Sequence, residues 1–249
     1  MSCTPLLHCR ARLFAALLTT VAGAACADPG YYVVTPYDNE GARIADFRYW
    51  TVKPANQTET VWPELGLGYG VNSRWTTELS LSWEGSAHEA VRPATLNWQN
   101  DVLLTQGQYP FDLAVHAQFI KDRDAPHQLG VNWGPVFQTE VGPTQINFNL
   151  FFDQVLRAET PTPTKAQYQW QLRQHNGAAL QVGLQGFGEL GRWNRWAPVD
   201  KQSHRAGPAV FFDERLGDAR TLKVQAAWLV GKTFGQRGHM FTLRAHIDF

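Results

Sequence analysis

The stretch RWTTELSLSWEG, Arg74–Gly85, alternates without a break. Trp75, Thr77, Leu79, Leu81 and Trp83 fall on one side, and Thr76, Glu78, Ser80 and Ser82 on the other. Successive side chains of a strand point to opposite faces, so this is an amphipathic strand with an indole at each end of its apolar face. Trp75 and Trp83 lie about 27 Å apart at about 3.4 Å per residue. A tilt of about 40° shortens that span to roughly 21 Å, close to the apolar band of about 25 Å on a membrane barrel. The two rings then sit at the two interfaces, where aromatic belts form. The competing reading is a soluble sheet whose apolar face meets a core.

The same period of two runs along the chain. After a lead, DPGYYVVTPYDNEG (28–41), apolar residues take alternate places in TVWPELGLGYG (60–70), TLNWQNDVLLT (95–105), FDLAVHAQFI (111–120), QLGVNWGPVFQ (128–138), QINFNLFFD (145–153), AQYQWQLRQ (166–174), ALQVGLQGFGEL (179–190), RAGPAVFFD (205–213), TLKVQAAWLV (221–230) and HMFTLRAHIDF (239–249). Adding ARIADFRYWTVK (42–53) and the opening stretch gives about twelve strands of roughly ten residues, the length a tilted membrane strand needs. Short turns at 70–73, 105–110, 140–144, 175–178 and 214–219 alternate with longer polar loops at 84–94, 121–127, 154–164, 191–203 and 231–238. Such alternation is the rim pattern of an outer-membrane barrel. A soluble sandwich would bring shorter strands and charged edges. Here the polar partners are Gln, Asn, Ser and Gly as well as charges, which suits a wet lumen.

Composition excludes several classes. The 249 residues carry 22 basic and 22 acidic side chains, so no basic excess points to nucleic acid. Ten Trp and 14 Phe stand in a chain whose mean hydropathy is −0.32, polar on average yet rich in large rings. The N-terminus reads as an export signal: Arg10 and Arg12, the apolar run Leu13–Ala25, and the small-residue site ACA (25–27) before Asp28. Residues 1–27 are thus expected to be cleaved, with lipid attachment at Cys26 the alternative, and residues 28–249 to form one domain. All three cysteines fall in the leader, so disulfides do not hold the mature chain. Losing Arg10 and Arg12 leaves 22 acidic residues against 20 basic, a net charge of −2. No later run is long and apolar enough for a spanning helix, so a membrane is crossed by strands.

The ending FTLRAHIDF, with Phe241, Leu243, Ala245, Ile247 and Phe249 at alternate places, resembles the C-terminal signature of bacterial outer-membrane β-barrels. The resemblance implies that Phe241, Leu243, Ile247 and Phe249 form an assembly signal read by the barrel-assembly machinery. GLGYGVNSRWTTELSLSWE, NWGPVFQTEVGPTQINFNLFF and GFGELGRWNRWAPVDKQSHRAGPAVFF resemble a family of uncharacterised proteobacterial exported proteins, which brings no activity with it.

If apolar residues face lipid, the lumen receives Glu78, Asp101, Asp112, His116, Asp153, Arg173, Glu189, Arg205, Lys223, Arg244, His246 and Asp248. Such charges either fill a lumen with ion pairs or tune what passes a channel, and a cluster of Arg205, Lys223 and Arg244 would favour anions. Trp75, Trp83, Trp193, Trp196 and Trp228 are expected as interfacial anchors. The loop GRWNRWAPVDKQSHR (191–205) places Arg192 and Arg195 beside two of them, suited to lipid or lipopolysaccharide phosphates. Catalysis finds little support. Ser203 and His204 are neighbours that a strand sends to opposite sides, and a pairing of His116 with Asp112 is more often structural. The histidines are scattered, with no metal-ligand spacing and no cofactor motif. The expected function is an outer-membrane conduit for small polar solutes, with no cofactor, metal or enzymatic activity. A plugged barrel with a structural or surface-interaction role and a lipid-modifying hydrolase are the alternatives.

Overall fold

Each alternating segment becomes a strand that pairs antiparallel with the next. The computed structural model describes residues 30–36, 40–55, 57–86, 88–217, 220–233 and 236–249. The expected leader, its cleavage site and Cys26 lie outside the described residues. The strands are β1 (Arg43–Pro54), β2 (Thr60–Gly70), β3 (Trp75–Ser86), β4 (Arg92–Leu103), β5 (Phe111–Asp122), β6 (Leu129–Val141), β7 (Thr144–Leu156), β8 (Lys165–Gln174), β9 (Leu180–Arg192), β10 (Arg195–Trp196), β11 (Ser203–Arg215), β12 (Thr221–Thr233) and β13 (Gln236–Asp248). They form a meander whose last strand returns to β1, in register from Ile44 opposite Asp248 to Pro54 opposite Gly238. Arg43 and Phe249 extend the seam with two backbone hydrogen bonds of 2.9 Å. Twelve long strands therefore close a barrel, and β10 is a two-residue addition to β9. Closure leaves no long edge to recruit other chains. No helix occurs among the described residues.

The faces are inverted relative to a soluble barrel. Leu67 is 71% exposed and Leu79 53%, whereas Gln118 is 1% and Asn149 0% exposed. On β3 the division is the one read from Arg74–Gly85: Trp75, Leu79 and Leu81 are outside, and Thr76, Glu78, Ser80 and Ser82 are buried inside. The run Gly186-Phe187-Gly188 on β9 has an outer-face use. Trp170 and Tyr168 of β8 lie opposite Gly186 and Gly188, where a Cβ would collide with the rings. Bare glycine is thus required for the aromatic cover.

Two expectations change. First, the connections differ less in length than the polar stretches suggest. One rim has 71–74, 104–110, 142–143, 175–179 and 216–220; the other has 55–59, 87–91, 123–128, 157–164, 193–202 and 234–235. We call these the short-turn and long-loop rims. The stretch 231–238 is not a long loop, because the ladder runs on through Lys232 opposite Arg237 and Thr233 opposite Gln236. Polarity there marks strand ends rather than the end of pairing. The 142–143 turn is the tightest with both residues described, and Gly142 takes the positive φ (58°) that such a two-residue hairpin needs.

Second, the opening stretch is not a wall strand. Tyr31, Tyr32, Val33 and Val34 pair with no strand and are 1–4% exposed inside the barrel. Their side chains alternate between two apolar walls. Tyr31 and Val33 pack with Trp50, Val52, Phe187, Phe211, Leu229 and Met240. Tyr32 and Val34 pack with Leu103, Ala114, Val136 and Phe151. The lumen is therefore not uniformly polar; it has a small core of its own, built around this segment.

Candidate functional site

Gly30–Pro36 crosses the lumen and is held mainly through side chains. Tyr31 Oη donates to Glu189 (2.9 Å) and Tyr32 Oη to Gln99 (2.5 Å). Val34 N donates to Gln169 Oε1 (3.2 Å), and Asn149 Nδ2 donates to Val34 O (2.8 Å). The backbone polar groups of Val34 thus find amide side chains where a strand would supply a ladder. Arginines cover both rings: Arg205 lies 4.1 Å from the Tyr31 centroid, and Arg48 and Arg244 lie 4.0 and 4.9 Å from that of Tyr32. Guanidinium over a ring is favourable by about 0.5–2 kcal/mol, more when desolvated.

Arg48 joins three strands. It donates to Asp46 on β1 through Nε (3.0 Å) and Nη2 (2.7 Å), to Glu64 on β2 through Nη1 (2.5 Å), and to Glu78 on β3 through Nη2 (2.5 Å). Arg244 of β13 makes a bidentate pair with the same Asp46. Ser80 and Asn97 donate to Glu64, both at 3.1 Å. Gly66 leaves the volume that the Glu78 carboxylate fills; a Cβ there would strike Glu78 Oε1. Two arginines meet three carboxylates, so the cluster nearly neutralises itself. Each group keeps several partners, as a buried charge requires.

A cavity lies to either side of Tyr31–Val34. The larger, ≈ 700 Å³, opens at the long-loop rim and is lined by Tyr31, Trp50, Trp62, Glu84, Asp122 and Asp153, among others. The smaller, ≈ 290 Å³, lies toward the short-turn rim, where Val33 and Pro36 meet Arg173, Lys223, Arg244 and His246. Charge differs between the two: carboxylates predominate in the larger and cations in the smaller.

The residues proposed for the lumen occupy inward register positions. Glu78 and Arg244 belong to the Arg48 cluster. His246 Nε2 lies 2.7 Å from Asp248, which also pairs with Lys223 at 3.3 Å. Arg173 pairs with Asp213 and Gln181. Arg205 pairs with Glu189 under Tyr31. Asp153 lines the larger cavity. Asp112 receives a long contact from Thr105 (3.5 Å). Of the three cations considered together, Lys223 and Arg244 meet at the smaller cavity and Arg205 does not. His116 does not pair with Asp112: its Nδ1 lies 2.7 Å from Asp101, its cross-strand partner, and its ring packs on Phe151. Register opposite a neighbouring strand competes with spacing along one strand, and here it wins. Ser203 is buried inside, while His204 on the outer face meets Tyr168 Oη at 2.8 Å. Among the described residues no group of three or more His, Cys, Asp or Glu is placed to hold a metal. Trp75, Trp193, Trp196 and Trp228 are exposed, and Trp83 is half-buried on the same outer face of β3 as Trp75. Phe241, Leu243 and Ile247 take outward positions on β13, with Phe249 at its end.

The sequence reading missed Asp46, Arg48 and Glu64, the centre of the cluster, although Asp46 and Arg48 interleave with Ala45, Phe47 and Tyr49. It also missed Tyr31–Val34. Four consecutive residues buried together give no period of two to read.

No protein-family model matches the chain, and no curated protein sequence matches it. Solved structures do. The crystal structure of an outer membrane channel from Pseudomonas putida aligns over 89% of this chain and 99% of that one, with 12% identity and a TM-score of 0.59. The translocator domain of the autotransporter NalP from Neisseria meningitidis aligns over 85% and 88%, with 11% identity and a TM-score of 0.49. The structural neighbours are bacterial outer-membrane β-barrels, and at these identities the likeness is one of fold.

Proposed function

We propose that the chain is an outer-membrane β-barrel that acts as a gated conduit for small polar solutes, closed at rest by its own N-terminal segment. One observation carries this reading: two cavities inside one barrel are parted by Tyr31–Val34, which belongs to no ladder. Side-chain anchors can release without breaking the wall. The apolar outer face and the fold shared with the Pseudomonas putida channel support the setting. Export through the leader, assembly through the strand ending in Phe249, and contact of Trp193, Trp196 and Arg195 with lipopolysaccharide are parts of the same reading. The lack of an enzymatic activity is a further part of the proposal. The dense Arg48 cluster favours a second reading, a sealed barrel with a structural role. Liposome swelling separates the two. A conduit admits small sugars or amino acids faster than protein-free liposomes do, and faster still when Tyr31 and Tyr32 are replaced by Ser. Swelling at the protein-free rate in both proteins would leave the sealed barrel.

A further inference from the structure

The larger cavity has the attributes of a ligand site. Its ≈ 700 Å³ lies within the 300–1,000 Å³ typical of small-molecule pockets. One wall is aromatic: Trp50 and Trp62 stack at 6.3 Å with planes 13° apart, and Tyr31 meets Trp50 edge-on at 6.5 Å. Six carboxylates line the cavity against three cationic side chains, Arg92, Lys165 and Lys201. Glu64 and Glu189 engage Arg48 and Arg205, and Asp124 engages Arg92 at 3.4 Å. Asp153 has a partner of its own and Asp122 accepts from Asp124 N (2.7 Å), which leaves Glu84 and Asp122 as the carboxylates of the lining outside these ion pairs. Two polar groups in the lining can meet a ligand: the Gln167 amide nitrogen is buried without a partner, and Ser203 belongs to the same wall. Unmet buried polar groups are costly, and a bound molecule with a polar head would satisfy them.

We propose that this cavity binds an organic cation with a compact aromatic or aliphatic body, an aryl- or alkylammonium. The indole wall takes the apolar body, ring faces and carboxylates take the charge, and Ser203 and Gln167 meet any polar substituent. The barrel already contains one instance of this chemistry, since the Arg205 guanidinium lies 4.1 Å over Tyr31 beside Glu189. An anion would face the carboxylate majority; the smaller cavity, with Arg173, Lys223 and Arg244, is where cations gather. As a solute class the assignment rests on the conduit reading. As a binding site it does not, so binding is measured without flux and the two fail separately.

The test is titration calorimetry on the folded full-length protein in detergent, with benzyltrimethylammonium as probe and benzyl alcohol and benzenesulfonate as uncharged and anionic comparators. Saturable one-to-one binding of the cation, about tenfold or more tighter than either comparator, is expected. Glu84→Gln with Asp122→Asn weakens the cation about tenfold and leaves benzyl alcohol unchanged. Trp62→Leu weakens both. Lys223→Met, at the other cavity, changes neither. Heat-modifiable gel migration reports that each variant is folded. Absence of saturable binding, equal affinity for benzyl alcohol, or indifference to the double substitution in folded protein would each overturn the assignment.

Discussion

Arg48 is the residue on which the lumen's charge balance turns. It is 1% exposed and contacts carboxylates on three strands. Replacing it with Met leaves Glu64 and Glu78 without their shared arginine and Asp46 with Arg244 and, at 3.8 Å, His246. Removing one partner of a buried ion pair costs about 3–5 kcal/mol. Arg48→Met is therefore expected to unfold at lower urea in lipid vesicles, and Glu78→Gln added to it to regain part of the loss. An unchanged midpoint for the single variant would mean that the cluster contributes no stability. Gly66 makes a second test. Gly66→Val drives a side chain into the Glu78 carboxylate and should cost about 1–3 kcal/mol, the usual range for overpacking; Gly107→Ala, where a Cβ meets nothing, reports only its backbone strain. At this scale the sequence is legible in direction and silent on partners. Alternation sends Glu78, Arg205 and His116 inward, but pairing His116 with Asp101 rather than Asp112 needs the β4–β5 register, which no local pattern carries.

Among the elements, the wall strands are the part most legible in sequence, because an apolar outer face and a lumen force each residue to one of two sides. Arg74–Gly85 shows this most plainly: every side assigned to Trp75 through Ser82 is the side found. Strand ends are less legible. Gly231 and Lys232 read as loop yet lie in the β12–β13 ladder, since polar side chains are tolerated wherever a strand leaves the apolar band. The Tyr31–Val34 segment was illegible for a different reason. Both its faces are buried in two separate apolar clusters, so it shows a short apolar run that reads equally as an ordinary strand. Its placement makes an element-scale prediction. A protein that starts at residue 28 has no cysteine, so single thiols can be introduced. Val33→Cys, 1% exposed in the native residue, should react with a maleimide far more slowly in folded than in unfolded protein, whereas Val199→Cys, at 79%, should react fast in both. Equal rates at the two sites in folded protein would place the segment elsewhere.

At the scale of the molecule, closure of β13 onto β1 makes a cylinder whose apolar residues face outward and whose interior is part polar network, part small core. Closed barrels of this kind keep their shape in detergent at room temperature, so an unboiled sample is expected to migrate faster than a boiled one on a denaturing gel. Identical migration would argue against the barrel. The interior is compatible with both proposed readings, a conduit and a sealed barrel. In the proposed reading the Gln, Asn and charge-rich inward faces line a passage; in the structure Tyr31–Val34 lies buried between its two apolar clusters. The central claim is that this segment closes the lumen, and single-channel recording in planar bilayers tests it most directly. The intact protein should open only briefly, and a variant with residues 30–36 replaced by a Gly-Ser stretch of equal length should show sustained open conductance. Folded protein of both kinds with the same conductance, whether open or closed, would contradict the account.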